Sequence, residues 1–304
     1  MGTTKPRRTT LIHPSDSATS SVITTAENHT MPVTQTDKAM QFRALHQGPK
    51  AFVIATAWDG GSARLLAGLG FLALATSSGA AAGVLGRRDG RIARDEALEQ
   101  VRGMVAATDL PLSADLEKGF GDDVHTVAET IRLAADAGLV GGSIEDATGR
   151  ADQPLYAFDD AVARVAAAVQ AARALPFPFM LTARSENFLR GNPDLDDTIR
   201  RLQAFERAGA DVLFAPGLPD LAAVRAVCSA VKVPVNFMVG IRGKSFSVAE
   251  LQAAGVRRIS LATSLWRAAM SGLASAAREA LEDGSFGYLD QTLQTGEINR
   301  FMSD

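Results

Sequence analysis

The chain has 304 residues, 46% of them apolar and 21% charged, with a formal net charge of −3. That is enough apolar material for one large core, and the slightly acidic balance excludes the basic footprint of a nucleic-acid binder. No apolar run approaches the roughly 18 residues of a membrane span, and the single cysteine, Cys228, excludes an internal disulfide and a multi-cysteine metal site.

Residues 1–37 form a tail unlike the rest, with 14 Ser or Thr residues and no period long enough for an element. Such a segment buries too little apolar area to offset its ordering entropy and is expected to be disordered. It has no apolar h-region, so it is not a secretory signal. A reduced cytoplasmic setting is the expectation.

From residue 38 a single domain is expected, repeating one unit: an apolar β-rich run, a loop, a helix and a glycine. The helix-to-strand junctions Ala137-Gly138-Leu139, Ala208-Gly209-Ala210 and Ala254-Gly255-Val256 each place glycine where a left-handed cap is needed. The apolar runs are Phe52–Thr56, Leu72–Ser77, Leu112–Asp115, Gly142–Glu145, Phe179–Arg184, Val212–Ala215, Val235–Met238 and Arg258–Leu261. Helices are predicted over 61–69, 95–108, 124–137, 159–174, 195–209, 219–230 and 247–254, with a last long one from Ser264. Ser247 and Glu250 form a capping box. Eight β/α units predict a closed (β/α)8 TIM barrel. An open dinucleotide-binding sheet is disfavoured, because the first run is followed by Trp58-Asp59-Gly60-Gly61 and not by the glycine fingerprint.

In such a barrel, chemistry sits at the C-terminal strand ends. The first run ends near Trp58 and Asp59, the second at Ser78-Gly79, the third at Asp115-Leu116-Glu117. The fourth ends at Glu145-Asp146, the fifth at Arg184, Glu186 and Asn187, and the seventh carries Asn236. Asp115 and Glu117 are two apart and point the same way on an extended segment. With Glu145 beside them, three carboxylates need a cation to stay ionised together. Oxygen-only donors suit Mg²⁺ or Mn²⁺. Arg184 is placed to clamp a substrate carboxylate, and Ser78 with the amides around Gly79 to hold a second anionic group. Trp58 is assigned to the substrate wall. The bland readings are helix capping for Asp59 and Asp146, core packing for Cys228 and surface placement for His125.

Ser-Gly after the second run, Asp115-Leu-Glu117-Lys-Gly-Phe-Gly after the third, Ser143-Ile-Glu145-Asp146 after the fourth and Thr182-Ala-Arg184 in the fifth resemble the isocitrate lyase/phosphoenolpyruvate mutase superfamily. The likeness covers about residues 40–280. It is greatest to the mutase-like branch often named carboxyvinyl-carboxyphosphonate phosphorylmutase. The resemblance implies a barrel whose last helix is swapped onto a partner in a homodimer or homotetramer. It also implies Mg²⁺ and a 2-oxo acid substrate. By motif, Asp115, Glu117 and Glu145 match metal-site acids, Asp89 a further acid near the metal, Ser78 and Gly79 the carboxylate-holding pair, and Arg184 the substrate arginine. Asn236 resembles an asparagine that lyase members use on a carboxylate.

One departure narrows the reaction. Lyase members carry a Cys- and His-containing stretch after the Ile-Glu-Asp motif. Here residues 147–156 hold neither, and Arg150 and Asp152 are the nearby groups that could stand in. The expectation is therefore Mg²⁺-dependent C–C cleavage of a 2-oxo carboxylate through an enolate, of decarboxylase or lyase type. The alternatives are C–P chemistry on a phosphonopyruvate-type substrate, with Arg150 assisting Arg184, and a metabolite-binding barrel without turnover.

Overall fold

A computed structural model describes residues 33–303. Eight parallel strands close in sequence order into a barrel. They are β1 (Phe52–Thr56), β2 (Leu74–Ala75), β3 (Leu112–Asp115), β4 (Gly141–Glu145), β5 (Met180–Arg184), β6 (Val212–Phe214), β7 (Val235–Met238) and β8 (Arg258–Ser260). The helices are α1 (Gln35–Gln47), α2 (Gly60–Gly68), α3 (Ser78–Val84), α4 (Arg94–Ala107), α5 (Val124–Asp136), α6 (Phe158–Arg173), α7 (Leu195–Arg207), α8 (Leu221–Ala230), α9 (Val248–Ala253), α10 (Ser264–Arg278) and α11 (Thr295–Asn299).

The register explains why the strands are short. Ala55 pairs Leu74 and Thr56 pairs Ala75, so β2 contributes two ladder residues where six were predicted. Leu72 lies half exposed before the ladder begins. Three helices lie outside the predicted ranges: α1, α3 and the short α11. α1 straddles the boundary placed at residues 37 and 38, and a capping box between Thr34 and Asp37 starts it inside the Ser/Thr-rich stretch. α3 is a run of small residues without a helical period. The disorder expected for the tail otherwise concerns residues 1–32, which lie outside the described residues.

Between the sheet and the helices lie two large apolar clusters, one with Leu74, Leu112, Ile131, Leu139 and Phe179 and the other with Leu202 and Phe205, all fully buried. Cys228 packs at the edge of the second cluster under Gly255, as a core thiol. Asp59 caps α2 and His125 is exposed. α10 differs from the other long helices: none of its residues is buried, and Leu273 is 62% exposed.

α1 closes the bottom of the barrel. Phe42 reaches Gly141, where an added Cβ would meet the Phe42 ring at 2.8 Å and the Met180 carbonyl oxygen at 2.9 Å. His46 lies beside it, 2% exposed, its Nδ1 donating to the Phe42 carbonyl at 2.8 Å and its Nε2 facing Arg258 Nη1 at 3.5 Å. Burial, reinforced by the Arg258 charge, pushes its pKa down from 6.5 to about 3. The unfolded chain takes up this proton below about pH 6.5 and the folded chain only near pH 3. Stability therefore falls with acidification through that window, by about 1.4 kcal/mol per pH unit at its steepest. His46→Gln, which keeps a donor for Phe42, is expected to flatten the decline in urea midpoint between pH 6 and 4. An unchanged slope would show that His46 does not carry it.

Candidate active site

The acids at the ends of β3, β4 and β5 meet at the barrel mouth, around Arg184. Arg184 ends β5 and Glu186 opens the short 3₁₀ turn 187–189 that follows, and the two side chains meet at the mouth. The Arg184 Nη2 donates to Glu186 Oε1 at 2.7 Å and its Nε to the same oxygen at 3.1 Å. Its Nη1 donates to Asp115 Oδ1 at 3.0 Å, and Nη2 lies 3.2 Å from Glu145 Oε2. The Phe214 ring lies 5.1 Å from the guanidinium carbon. Arg190 adds a second cation, 3.2 Å from Glu145 Oε1 and 3.5 Å from Glu186 Oε2.

The cation expected among Asp115, Glu117 and Glu145 is thus in part a guanidinium. Arg184 bridges Asp115 to Glu145, and the three carboxylates around it raise its own pKa well above the ordinary arginine value despite its burial. Burial pushes the Glu145 carboxyl upward, against the opposing pull of Arg184.

Glu117 stands apart from these pairs. Its backbone is left-handed, with φ of 49°, a conformation that costs a non-glycine residue about 1–2 kcal/mol. Its N–H donates to Asp115 Oδ1 at 3.2 Å, and its Oε1 is buried without a hydrogen-bond partner. Burial and the charges of Asp115 and Asp89 push its carboxyl up to about 7. Ser78 N–H approaches Asp115 Oδ2 at 3.5 Å. An added Cβ on Gly79 would lie 2.8 Å from Thr263 Cγ2 and 3.4 Å from the Asp89 carboxyl, so this turn admits only glycine without rearrangement.

Among the described residues no three acids or imidazoles stand at metal-ligand spacing. The donor chemistry nevertheless fits a hard cation. Glu145 and Glu186 are ion-paired with arginines, although Glu186 Oε2 accepts no hydrogen bond, whereas Glu117 makes no ion pair among the described residues and has a buried oxygen without a partner beside Asp115 and Asp89. Mg²⁺ is commonly held by one or two carboxylates together with water and substrate oxygens, without an all-protein cage.

Other predicted residues lie further out. Arg150 is exposed and forks onto Asp152, at 3.2 Å from Nε and 2.7 Å from Nη2, and not onto the carboxylates around Arg184. Trp58 is half-buried, its N–H donating to Ser62 Oγ. Asn236 is buried below the mouth and accepts from Arg258 Nε at 2.9 Å. Asp146 is a buried strut, accepting from Glu186 N–H at 2.7 Å and from Arg201 Nη1 at 3.1 Å. The ion-pairing of Glu186 was legible from its position two residues after Arg184. Arg190 carried no such signal, because it follows a short 3₁₀ turn.

A closed parallel barrel with an acidic, arginine-bridged mouth is the site of a lyase- or mutase-type enzyme, and the comparisons agree. The chain belongs to the phosphoenolpyruvate phosphomutase family, whose model matches residues 42–281, within the phosphoenolpyruvate mutase/isocitrate lyase superfamily. It is 33% identical over 202 residues to an oxaloacetate decarboxylase of Bradyrhizobium diazoefficiens, covering 64% of this chain and 68% of that one. It is also 33% identical over 202 residues to the 2-methylisocitrate lyase of Escherichia coli, covering 64% and 67%. A crystal structure from Burkholderia cenocepacia J2315, provisionally described as a lyase/mutase, superposes with a TM-score of 0.86 at 55% identity, covering 88% of this chain and 96% of that one. Among the described residues, no helix is long and apolar enough to cross a membrane.

Proposed function

We propose that this enzyme binds a small 2-oxo carboxylate at the barrel mouth and cleaves the C–C bond between the carbons α and β to its 2-oxo group, one carbon beyond the carbonyl, so that the electron pair left on the α-carbon delocalises onto the carbonyl oxygen, as in a decarboxylase or lyase. The observation that carries the reading is the division of labour among the acids. Glu145 and Glu186 hold Arg184, while Glu117 and Asp89 make no ion pair among the described residues and, with Asp115, whose Oδ1 is shared with Arg184, would hold a divalent cation such as Mg²⁺. When bound, that ion supplies an electron sink for charge developing on the substrate carbonyl oxygen. Arg184 provides fixed donors in a site where rearrangement is costly, so its contribution is pre-organised. The amides at Ser78 and Gly79 orient the substrate carboxylate. Decarboxylation needs the sink and no acid on residues 147–156, which accords with the absence of Cys and His there. The name of one relative, an oxaloacetate decarboxylase, supports that substrate class, and the name of another, a 2-methylisocitrate lyase, supports C–C cleavage of a small carboxylic acid. Arg150, paired with Asp152 at the surface, lends no support to phosphonate chemistry.

The test is turnover of a 2-oxo acid panel that includes oxaloacetate and phosphonopyruvate, with Mg²⁺ or Mn²⁺. Release of pyruvate from oxaloacetate, lost by about 10³-fold in Asp115→Asn, is the expected result. Full activity in that variant would overturn the role given to Asp115, and a phosphorus signal from phosphonopyruvate alone would transfer the reading to C–P cleavage.

We further propose that α10 packs onto a second copy of the chain, because this long helix has no buried residue and leaves Met270 and Leu273 exposed, its contacts with its own barrel being made near its start by Leu265 and Trp266. Light scattering at micromolar concentration is expected to give a dimer or tetramer, and Leu273→Asp to shift it toward the monomer. A monomeric wild type would refute the pairing.

A further inference from the structure

The barrel interior below Arg184 holds polar side chains. A cavity of about 90 Å³ there has apolar walls that include Ile54 and Met238, with Asp115 and Arg184 at its upper end and Asn236, Ser260 and Arg258 below. The two cations differ in one respect. Arg184 has three carboxylate partners, whereas Arg258 forms no salt bridge among the described residues. Arg258 is 5% exposed, and its partners are neutral: Asn236 Oδ1 at 2.9 Å, Thr182 Oγ1 at 2.9 Å and His46 Nε2 at 3.5 Å.

A buried cation with only neutral partners is costly. Burial and the nearby Arg184 charge pull its pKa down to about 9, so it remains protonated at neutral pH. The groups around it are arranged as donors. Asn236 spends its carbonyl on Arg258 and donates its amide to Ser260 Oγ at 3.0 Å. That bond uses the acceptor side of Ser260, whose hydroxyl hydrogen retains only a long 3.5 Å contact with the Phe237 carbonyl. The floor of the cavity therefore presents a cation and donors, and among the described residues the cavity's carboxylate, Asp115, is paired with Arg184 and not with Arg258.

Thr182, which holds the Arg258 guanidinium, lies two residues below Arg184 on the same strand and faces the same way. That is a rise of about 7 Å, an interval a short diacid spans when it hydrogen-bonds at both ends. We propose that Arg258, with Asn236 and Ser260, forms a second carboxylate position beneath Arg184, so that the substrate is a small dicarboxylate with its distal carboxylate turned down the barrel axis. This rests on the 2-oxo acid reading above.

The experiment uses stable probes in the presence of Mg²⁺. L-Malate and L-lactate share a 2-hydroxy-acid head and differ in the distal carboxylate, and oxalate reports on the head position alone. Titration calorimetry of the wild type is expected to show malate binding about tenfold more tightly than lactate. Arg258→Met should abolish that preference and leave oxalate binding within about twofold, while Arg258→Lys should retain part of it. Ser260→Asp supplies an internal carboxylate to the same position and should abolish the preference with Arg258 still present, which keeps the test decisive should Arg258→Met fail to fold. No preference in the wild type, or one that survives both Arg258→Met and Ser260→Asp, overturns the subsite. Thermal stabilisation by chloride that requires Arg258, without a malate preference, identifies a bound inorganic anion and overturns it too. Failure of oxalate to bind the wild type would overturn the function reading itself, a separate result.

Discussion

Arg184→Met is expected to abolish turnover, by about 10³-fold or more, and to leave a folded but weakened barrel. The side chain removed is buried and holds Asp115, Glu145 and Glu186 at 3.0, 3.2 and 2.7 Å. Methionine fills much of the volume but returns none of the charge. Three carboxylates then face one another with only Arg190, 41% exposed, to oppose them. Leaving a buried charge without its partner costs about 3–5 kcal/mol, although uptake of protons by the crowded acids offsets part of that. Activity falls for a different reason: the fixed donors at the substrate position are gone. Arg184→Lys separates the two effects. A lysine restores one positive charge but not the fork that reaches three carboxylates, so stability should recover more than kcat. Equal recovery of both would mean that Arg184 acts through charge alone, and wild-type kcat in Arg184→Met would remove it from the mechanism.

The same residue shows what the sequence could and could not disclose. Acids and an arginine at successive strand ends were legible, because a barrel strand delivers its last inward residue to the mouth whatever surrounds it. Which cation the acids meet was not legible, since that depends on side-chain reach. Asp115 is 69 positions from Arg184, and only the closed register brings β3 to β5 across β4. Arg258 escaped for the opposite reason. It opens β8 at the end of the barrel where polar residues are read as structural, and its partners Thr182 and Asn236 come from two other strands. The architecture was easier. Glycine after each helix and an apolar run after each glycine placed most long helices to within about two residues at each end. Of the helices outside that reading, α1 and α3 have sequences, QTDKAMQFRALHQ and SGAAAGV, that carry weak apolar periodicity and are fixed by packing on the barrel, and α11, TGEIN, is too short to show a period.

Arg201→Met should produce the largest loss of stability outside the mouth, about 3–5 kcal/mol by urea denaturation. Arg201 lies on α7 with its side chain 9% exposed, and donates from Nη1 to Asp146 Oδ2 and the Tyr156 carbonyl, and from Nε to Asp197 Oδ2 at 2.9 Å. Asp146, 1% exposed, has no other cation among the described residues. Its second oxygen accepts from the Glu186 N–H, so one carboxylate ties the end of β4 to the turn after β5 and to α7. Removal of the guanidinium strands that carboxylate in a nearly closed space. Arg150→Met is the matched control: its partner Asp152 is exposed, and such surface pairs contribute about 0–1 kcal/mol. Replacing Asp146 by Asn in the Arg201→Met background removes the stranded charge and should recover part of the loss, a coupling that neighbouring sites show and distant ones do not. Because Asp146 also positions Glu186, which in turn holds Arg184, the single variant should lower kcat as well, and the double variant should restore stability ahead of activity. A loss below about 1 kcal/mol in Arg201→Met would mean that water reaches Asp146 and that the strut between α7 and the mouth is dispensable.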